Sequence, residues 1–236
     1  NNPDTDGLSI AKGYLLEHES YHPDEMYLDS AYHYLQLADW LNKNENRNAV
    51  INYYFLKENY EAIIKIVEEI GSERTLSDIL VNQEYSNNDA WTAYRIGQAY
   101  ESTDDIISAN KYYLRATSLA KYNLEFHNKL GSTQVMLQQM DEAKRTFEFI
   151  ISENPLYSSA HVNYGYTLLL LGLAEEAEYH YDIALKLDPD QVQALLNKAG
   201  ICFLKNDLEQ GEKYIERVLL LEPDHEQARM IKQRLN

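Results

Sequence analysis

An all-α array of stacked antiparallel helix hairpins is the fold this sequence predicts, and three observations predict it. Pro155, Pro189 and Pro223 stand 34 residues apart, each behind a polar or acidic residue: Asn154, Asp188 and Glu222. Taking each proline as position 32 of a unit, position 8 is Gly97, Gly131, Gly165 and Ala199, and position 20 is Ala109, Ala143, Ala177 and Gly211. Larger residues keep the same phase, with Tyr113, Phe147, Tyr181 and Ile215 at position 24 and Ala116, Ile150, Ala184 and Val218 at position 27. Fixed-period self-similarity of this length marks a repeat architecture. No sheet-forming segment interrupts it.

The physical reason for the phase is close helix packing. A glycine inside a helix costs about 1 kcal/mol against alanine, so three at one phase need an offsetting gain. The gain expected is a neighbouring helix too near for a side chain. The small residue at position 20 lets the second helix approach the first, and the ring at position 24 is expected to fill the space between successive units. Two helices of about 14 residues bury too little surface to fold alone, so stability must come from stacking on neighbours.

In chain order, Asp6 to His22 and Asp24 to Leu41 read as a helix pair at the front, the second helix carrying Tyr27, Leu28, Ala31, Tyr34, Leu35, Ala38 and Leu41. Val50, Ile51 and Tyr54, then Tyr60, Ile63, Val67 and Ile70, read as a degenerate hairpin closing near Gly71. Between Ser72 and Asp89 the phase is lost at Gly71-Ser72, Asn82 and Ser86-Asn87-Asn88, with one short helix expected at 75–82. Residues 1–89 are therefore expected as degenerate hairpins with an irregular linker near 72–89. Four regular units follow at 90–123, 124–157, 158–191 and 192–223. Residues 224–236 form a capping helix, with Asp224 as N-cap and Ala228, Ile231 and Leu235 as a narrow apolar stripe.

Ile96–Tyr100 reads IGQAY and Tyr164–Pro189 reads YGYTLLLLGLAEEAEYHYDIALKLDP. From Ala90 to Pro223 this pattern resembles the tetratricopeptide repeat family. Lys121 at position 32, Gly211 at position 20 and Gln134 at position 11 depart from the family pattern without breaking the register. The resemblance implies a right-handed superhelix of hairpins, and a non-enzymatic scaffold or adaptor that binds a peptide segment or partner protein in a concave groove.

Charge and composition narrow the function further. The 236 residues carry 21 Lys and Arg against 38 Asp and Glu, a net charge of −17. Such a surface repels polyphosphate, so nucleic acid is excluded as a partner class. Hydrophobic residues make up 44% and charged residues 25%, enough to build a core. The apolar run Leu168–Leu171 is far below the roughly 20 residues that span a bilayer, so no membrane insertion is expected. One cysteine, Cys202, allows no internal disulfide and leaves the compartment open. The chain starts at Asn1, which suggests a processed or excised piece and sibling domains in a longer polypeptide; a structural module of such a protein is the alternative function.

One string looks catalytic. His18-Glu19-Ser20-Tyr21-His22 satisfies HExxH, which sets two imidazoles on one helix face beside a carboxylate and would make a zinc metallopeptidase. Pro23 disfavours helical geometry at His22, only 17 residues precede His18, and no sheet builds a cleft. The string reads as a solvated helix end. His33, His127, His161, His180 and His225 are dispersed and read as packing residues. No catalytic residue, metal site or cofactor is assigned.

In the family, positions 2, 5, 6, 9, 12 and 13 of first helices line the groove. The resemblance places Trp91, Tyr94, Arg95, Gln98, Asn128, Lys129, Asn163, Tyr166 and Asn197 there, with Ser132 and Gln193 beside them. Position 6 supplies one polar side chain per unit: Arg95, Lys129, Asn163 and Asn197. Asparagine can pair with both groups of a peptide bond, and Arg or Lys can take a carboxylate. The Lys, Asn and Arg set with which some family members clamp a C-terminal carboxylate is absent. Val135, Met136, Leu169, Leu170, Phe203 and Leu204 at positions 12 and 13 are expected to pack between helices, with an apolar floor for a helical ligand as the alternative. The acidic excess, as at Glu175, Glu176 and Glu178, is expected on a solvated face.

Overall fold

In the computed structural model, residues 47–73 and 87–235 are described, and they form eleven α-helices. A hairpin of α1 (Arg47–Leu56) and α2 (Tyr60–Glu73) is followed by four more: α3 (Asn87–Ser102) with α4 (Ile106–Leu119), α5 (Leu124–Met136) with α6 (Met140–Glu153), α7 (Ser158–Leu170) with α8 (Ala174–Leu187), and α9 (Val192–Leu204) with α10 (Leu208–Leu221). Helix α11 (Glu226–Leu235) packs on α10. The HExxH string, the front helix pair and the irregular segment at 74–86 lie outside the described residues.

Each recurring glycine has the same neighbour. A Cβ on Gly97 would come within 2.7 Å of the Tyr113 ring, one on Gly131 within 2.6 Å of Phe147, and one on Gly165 within 2.7 Å of Tyr181. The position-24 ring therefore lies against the first helix of its own hairpin. All three rings are fully buried, as are Ala109, Ala143 and Ala177. In the last unit the pair is Ala199 with Ile215, both fully buried, so a methyl group has replaced empty space where a smaller partner has replaced the ring. Gly211, at position 20, faces the ring of Phe203.

The turns repeat as faithfully. Position 15 of every regular hairpin has positive φ: Asp104 at 62°, Gln138 at 60°, Gly172 at 80° and Asn206 at 62°. Around it the amide of position 16 donates to the carbonyl of position 11, as in Leu173 to Leu168 at 2.9 Å, and position 15 donates to position 12, as in Gly172 to Leu169 at 3.0 Å. This is the left-handed helix-ending motif that satisfies the last carbonyls. The following helix starts at once. Asp105 and Asp207 cap it through Ser108 N and Gln210 N at 3.1 Å, whereas Gln139 and Leu173 make no side-chain cap.

The chain divides into two compact units between Phe126 and His127. In the first, α3 packs on α1, α2 and α4. In the second, α6 packs on α7, α7 on α8, and α8 on α9. Its last core cluster joins Leu195, Leu196, Ala199, Ile215, Val218 and Ala228, so α11 closes the apolar end of the final hairpin. The cap of α11 is His225, whose Nδ1 accepts from Ala228 N at 3.3 Å, and not Asp224, which pairs with Arg229.

Candidate functional site

Positions 6, 9 and 13 of a helix share a face, being three, four and seven residues apart. In the first unit that face belongs to α3. Trp91 is 39% exposed and meets Tyr94 and Phe126 edge-on, with ring centroids at 5.5 and 4.8 Å. Tyr94, expected as an open aromatic platform, is buried: it stacks on Phe126 at 4.7 Å and its hydroxyl donates to Glu125 at 2.7 Å. Arg95 turns back onto α1, donating to Asn52 Oδ1 and lying 5.3 Å from the Phe55 ring centre, so its guanidinium is engaged within the fold. Gln98 is half-buried beside it.

In the second unit the polar line of position 6 is present but not uniform. Lys129, Asn163 and Asn197 are all half-buried. Asn163 Nδ2 donates to Asn128 Oδ1 at 2.9 Å, which ties position 6 of one repeat to position 5 of the one before. Asn197 cannot copy this, because position 5 of its preceding repeat is Val162. Its Nδ2 is buried without an acceptor, while its Oδ1 accepts from Gln193 at 3.3 Å. Tyr166 is 43% exposed, and a Cβ at Gly200, its equivalent one repeat on, would meet nothing within 4 Å. Position 12 is partly covered, with Val135, Leu169 and Phe203 all half-buried. Position 13 is not: Met136, Leu170 and Leu204 stand in solvent, because the left-handed residue two places on turns the chain before anything can cover them.

Two charged or titratable groups were not legible as pairs. Lys198, on the mainly apolar helix α9, is buried and reaches Asp182 at 2.7 Å and Glu178 at 3.1 Å on α8; Lys205 also pairs with Glu178. Burial pulls the Lys198 ammonium down, but the hydrogen bonds to the two carboxylates outweigh it and the net shift is upward. The Glu178 carboxyl is held low, chiefly by Lys205. A lysine in an apolar stretch was the signal for this clamp; its partners, 16 and 20 residues upstream, were not readable without the helix pairing.

His161 is buried with Nε2 3.0 Å from the Pro155 carbonyl and Nδ1 3.0 Å from His180 Nδ1. The carbonyl only accepts, so the tautomer assigned from these partners puts the His161 proton on Nε2 and makes His180 Nδ1 the donor between the rings. Burial, and then the neighbouring His161, depress His180 to about 4. The pair is a packing contact. Among the described residues, no group of three or more His, Cys, Asp or Glu is placed to hold a metal ion, and no helix is long and apolar enough to cross a membrane.

Comparison with known proteins agrees with this architecture. Residues 92–123, 128–192 and 168–235 match models described as tetratricopeptide repeat. No curated protein matches the sequence. Similar folds occur in MamA from Desulfovibrio magneticus RS-1 (TM-score 0.61, 15% identity, 78% of this chain and 98% of that one) and in TTC0263 from Thermus thermophilus (0.58, 15%, 82% and 98%). YrrB, described as a TPR protein with an unusual peptide-binding site, is similar at TM-score 0.53 and 16% identity over 94% of this chain and 99% of that one. At these identities the likeness is one of fold. With the 34-residue register, the glycine-on-ring contact repeated in three hairpins and the family matches spanning four of them, the chain belongs to the tetratricopeptide repeat family.

Proposed function

We propose that this chain is a non-enzymatic scaffold or adaptor that takes a peptide segment or partner protein on the faces of its first helices. In the first unit the docking residues are Trp91 and Gln98, with Tyr94 and Arg95 behind them as supports. In the second they are Asn128, Lys129, Asn163, Tyr166 and Asn197. The observation that carries this reading is the open face of α7 and α9, where Tyr166 is 43% exposed and Gly200 opens onto empty space, while the position-24 rings of the second helices are wholly enclosed. Half-buried asparagines in that setting can pair with a ligand backbone at little desolvation cost. The fold shared with YrrB, whose description includes a peptide-binding site, points the same way.

A displayed peptide library selected on the full chain tests it. Replacing Asn163 and Asn197 together by Ala removes up to two hydrogen-bonding groups of about 1 kcal/mol each, so selected peptides should bind roughly tenfold more weakly. The helical circular dichroism should stay as in the parent. Equal binding by parent and variant would remove the asparagine line from the site.

A further inference from the structure

The second unit shows solvent a row of apolar side chains along the corner where each first helix turns into the second. Met136, Leu170 and Leu204 occupy position 13 of successive repeats and are 55%, 48% and 78% exposed. Across the turns stand Leu173 and Leu208, 38% and 53% exposed. Helix α6 packs on α7, α8 on α9, and α7 also meets α9, so equivalent corners are neighbours. The fold gains little from these side chains, and at Leu173 it forfeits something. Leu173 sits at the N-cap of α8 and bonds nothing there through its side chain, whereas Asp207, one repeat later, caps α10 through Gln210 N.

Carboxylates border the row. Asp141, Glu142, Glu175, Glu176 and Glu209 occupy the first turns of α6, α8 and α10 and are exposed; Glu142 pairs with Arg145 and Glu209 with Lys213, which leaves Asp141, Glu175 and Glu176 as the uncompensated charges. Acids at helix starts are favourable by themselves and need no ligand; exposed leucines beside them are not. Lys205 on this edge is tied to Glu178. The corner is thus apolar along its length and negative along its border.

We propose that this corner row docks an amphipathic helix of a partner protein, with an apolar stripe flanked by Lys or Arg. The proposal rests on the first-helix face being a protein-binding surface and adds the class of partner. Packed helices lie about 8–10 Å apart, and a helix advances about 10.5 Å in seven residues, so apolar side chains at i and i+7 match the corners of Leu170 and Leu204, whose helices α7 and α9 touch. The basic flank meets the carboxylates. A second copy of this chain, at a net charge of −17, would bring like charge to the same border.

The test is fluorescence anisotropy on the full chain. The probe is a synthetic helix of about 18 residues built from Leu and Lys with one apolar stripe, long enough to reach two corners. It is set against the same composition scrambled and a Leu/Glu counterpart. The striped Leu/Lys probe should bind at least about tenfold tighter than either. Leu170→Gln with Leu204→Gln should weaken it by about tenfold or more with an unchanged melting curve. Leu173→Asp should also weaken it while melting no earlier than the parent, although its added charge favours a basic probe. Equal binding of the scrambled peptide means charge attraction alone and overturns the proposal, as does unchanged binding by the leucine variants. If Asn163→Ala with Asn197→Ala weakens the probe and the leucine variants do not, the groove stands and this proposal falls; if neither set matters, both fall. A dimer of the chain alone that Leu204→Gln dissolves would assign the row to self-association and overturn it too.

Discussion

Gly165→Ala with Tyr181→Ile tests the packing rule on which the fold rests. An alanine Cβ at 165 would lie 2.7 Å from Tyr181 Cε1 and 3.0 Å from Cδ1 and Cζ. The ring is fully buried and cannot swing into solvent. Overpacking of this kind costs about 1–3 kcal/mol, of which the better helix propensity of alanine returns about 1. Gly165→Ala alone should therefore destabilise by up to about 2 kcal/mol. Tyr181→Ile alone leaves a cavity above Gly165 and should cost about 2–4 kcal/mol, by analogy with large-to-small core changes. Together they recreate the Ala199 and Ile215 pair of the next repeat, so the double variant should be less destabilised than the sum by at least about 1 kcal/mol. Urea unfolding followed by far-ultraviolet circular dichroism reads this as a midpoint shift, provided the slope is constant across the four proteins. Additivity within about 0.5 kcal/mol would refute the claim that glycine and ring share one space.

The two buried tyrosines of position 24 should respond oppositely to loss of the hydroxyl. Tyr113 donates to Glu101, whereas Tyr181 has Leu169 at the equivalent place and its buried hydroxyl has no partner. Tyr181→Phe should raise stability by about 1 kcal/mol and Tyr113→Phe lower it by a similar amount in the same urea titrations; a shared sign would contradict the assigned partners. His180 sets a pH dependence. His180 is depressed to about 4 from an ordinary 6.5, so between those values the unfolded chain binds more protons than the folded one. Stability should hold above pH 6.5 and fall as the pH drops toward 4. His180→Asn keeps a donor near Nδ1 without its titration, and should flatten that part of the profile; an unchanged slope would point to other groups.

The repeat was legible because its cause is local in phase: a missing side chain at position 8 and a ring at position 24 recur in any one-dimensional reading. That the ring meets the glycine of its own hairpin was not legible, since both the neighbouring unit and the same hairpin lie within its reach. Tyr94 illustrates a second limit. Its position marked the groove, but Phe126 and Glu125 of the following helix offered a better partner than water, and the ring turned inward. Position 13 erred the other way, because leucine in a helix reads as core until the turn beside it is known to leave that corner open. Lys198 and the two histidines were visible as odd residues, yet pairing them required knowing which helices touch.

Tandem hairpins are commonly treated as interchangeable beads, to be trimmed or spliced at will. The clamp on Lys198 makes this chain less modular than that. Cutting at Val192 would strip Glu178 and Asp182 of their shared cation, and would bare Leu185, in α8, of the cluster packed beside it. A fragment boundary drawn by the 34-residue ruler at that point therefore falls through an ionic lock, and a minimal version of the second unit has to retain its terminal hairpin together with the helix that closes it.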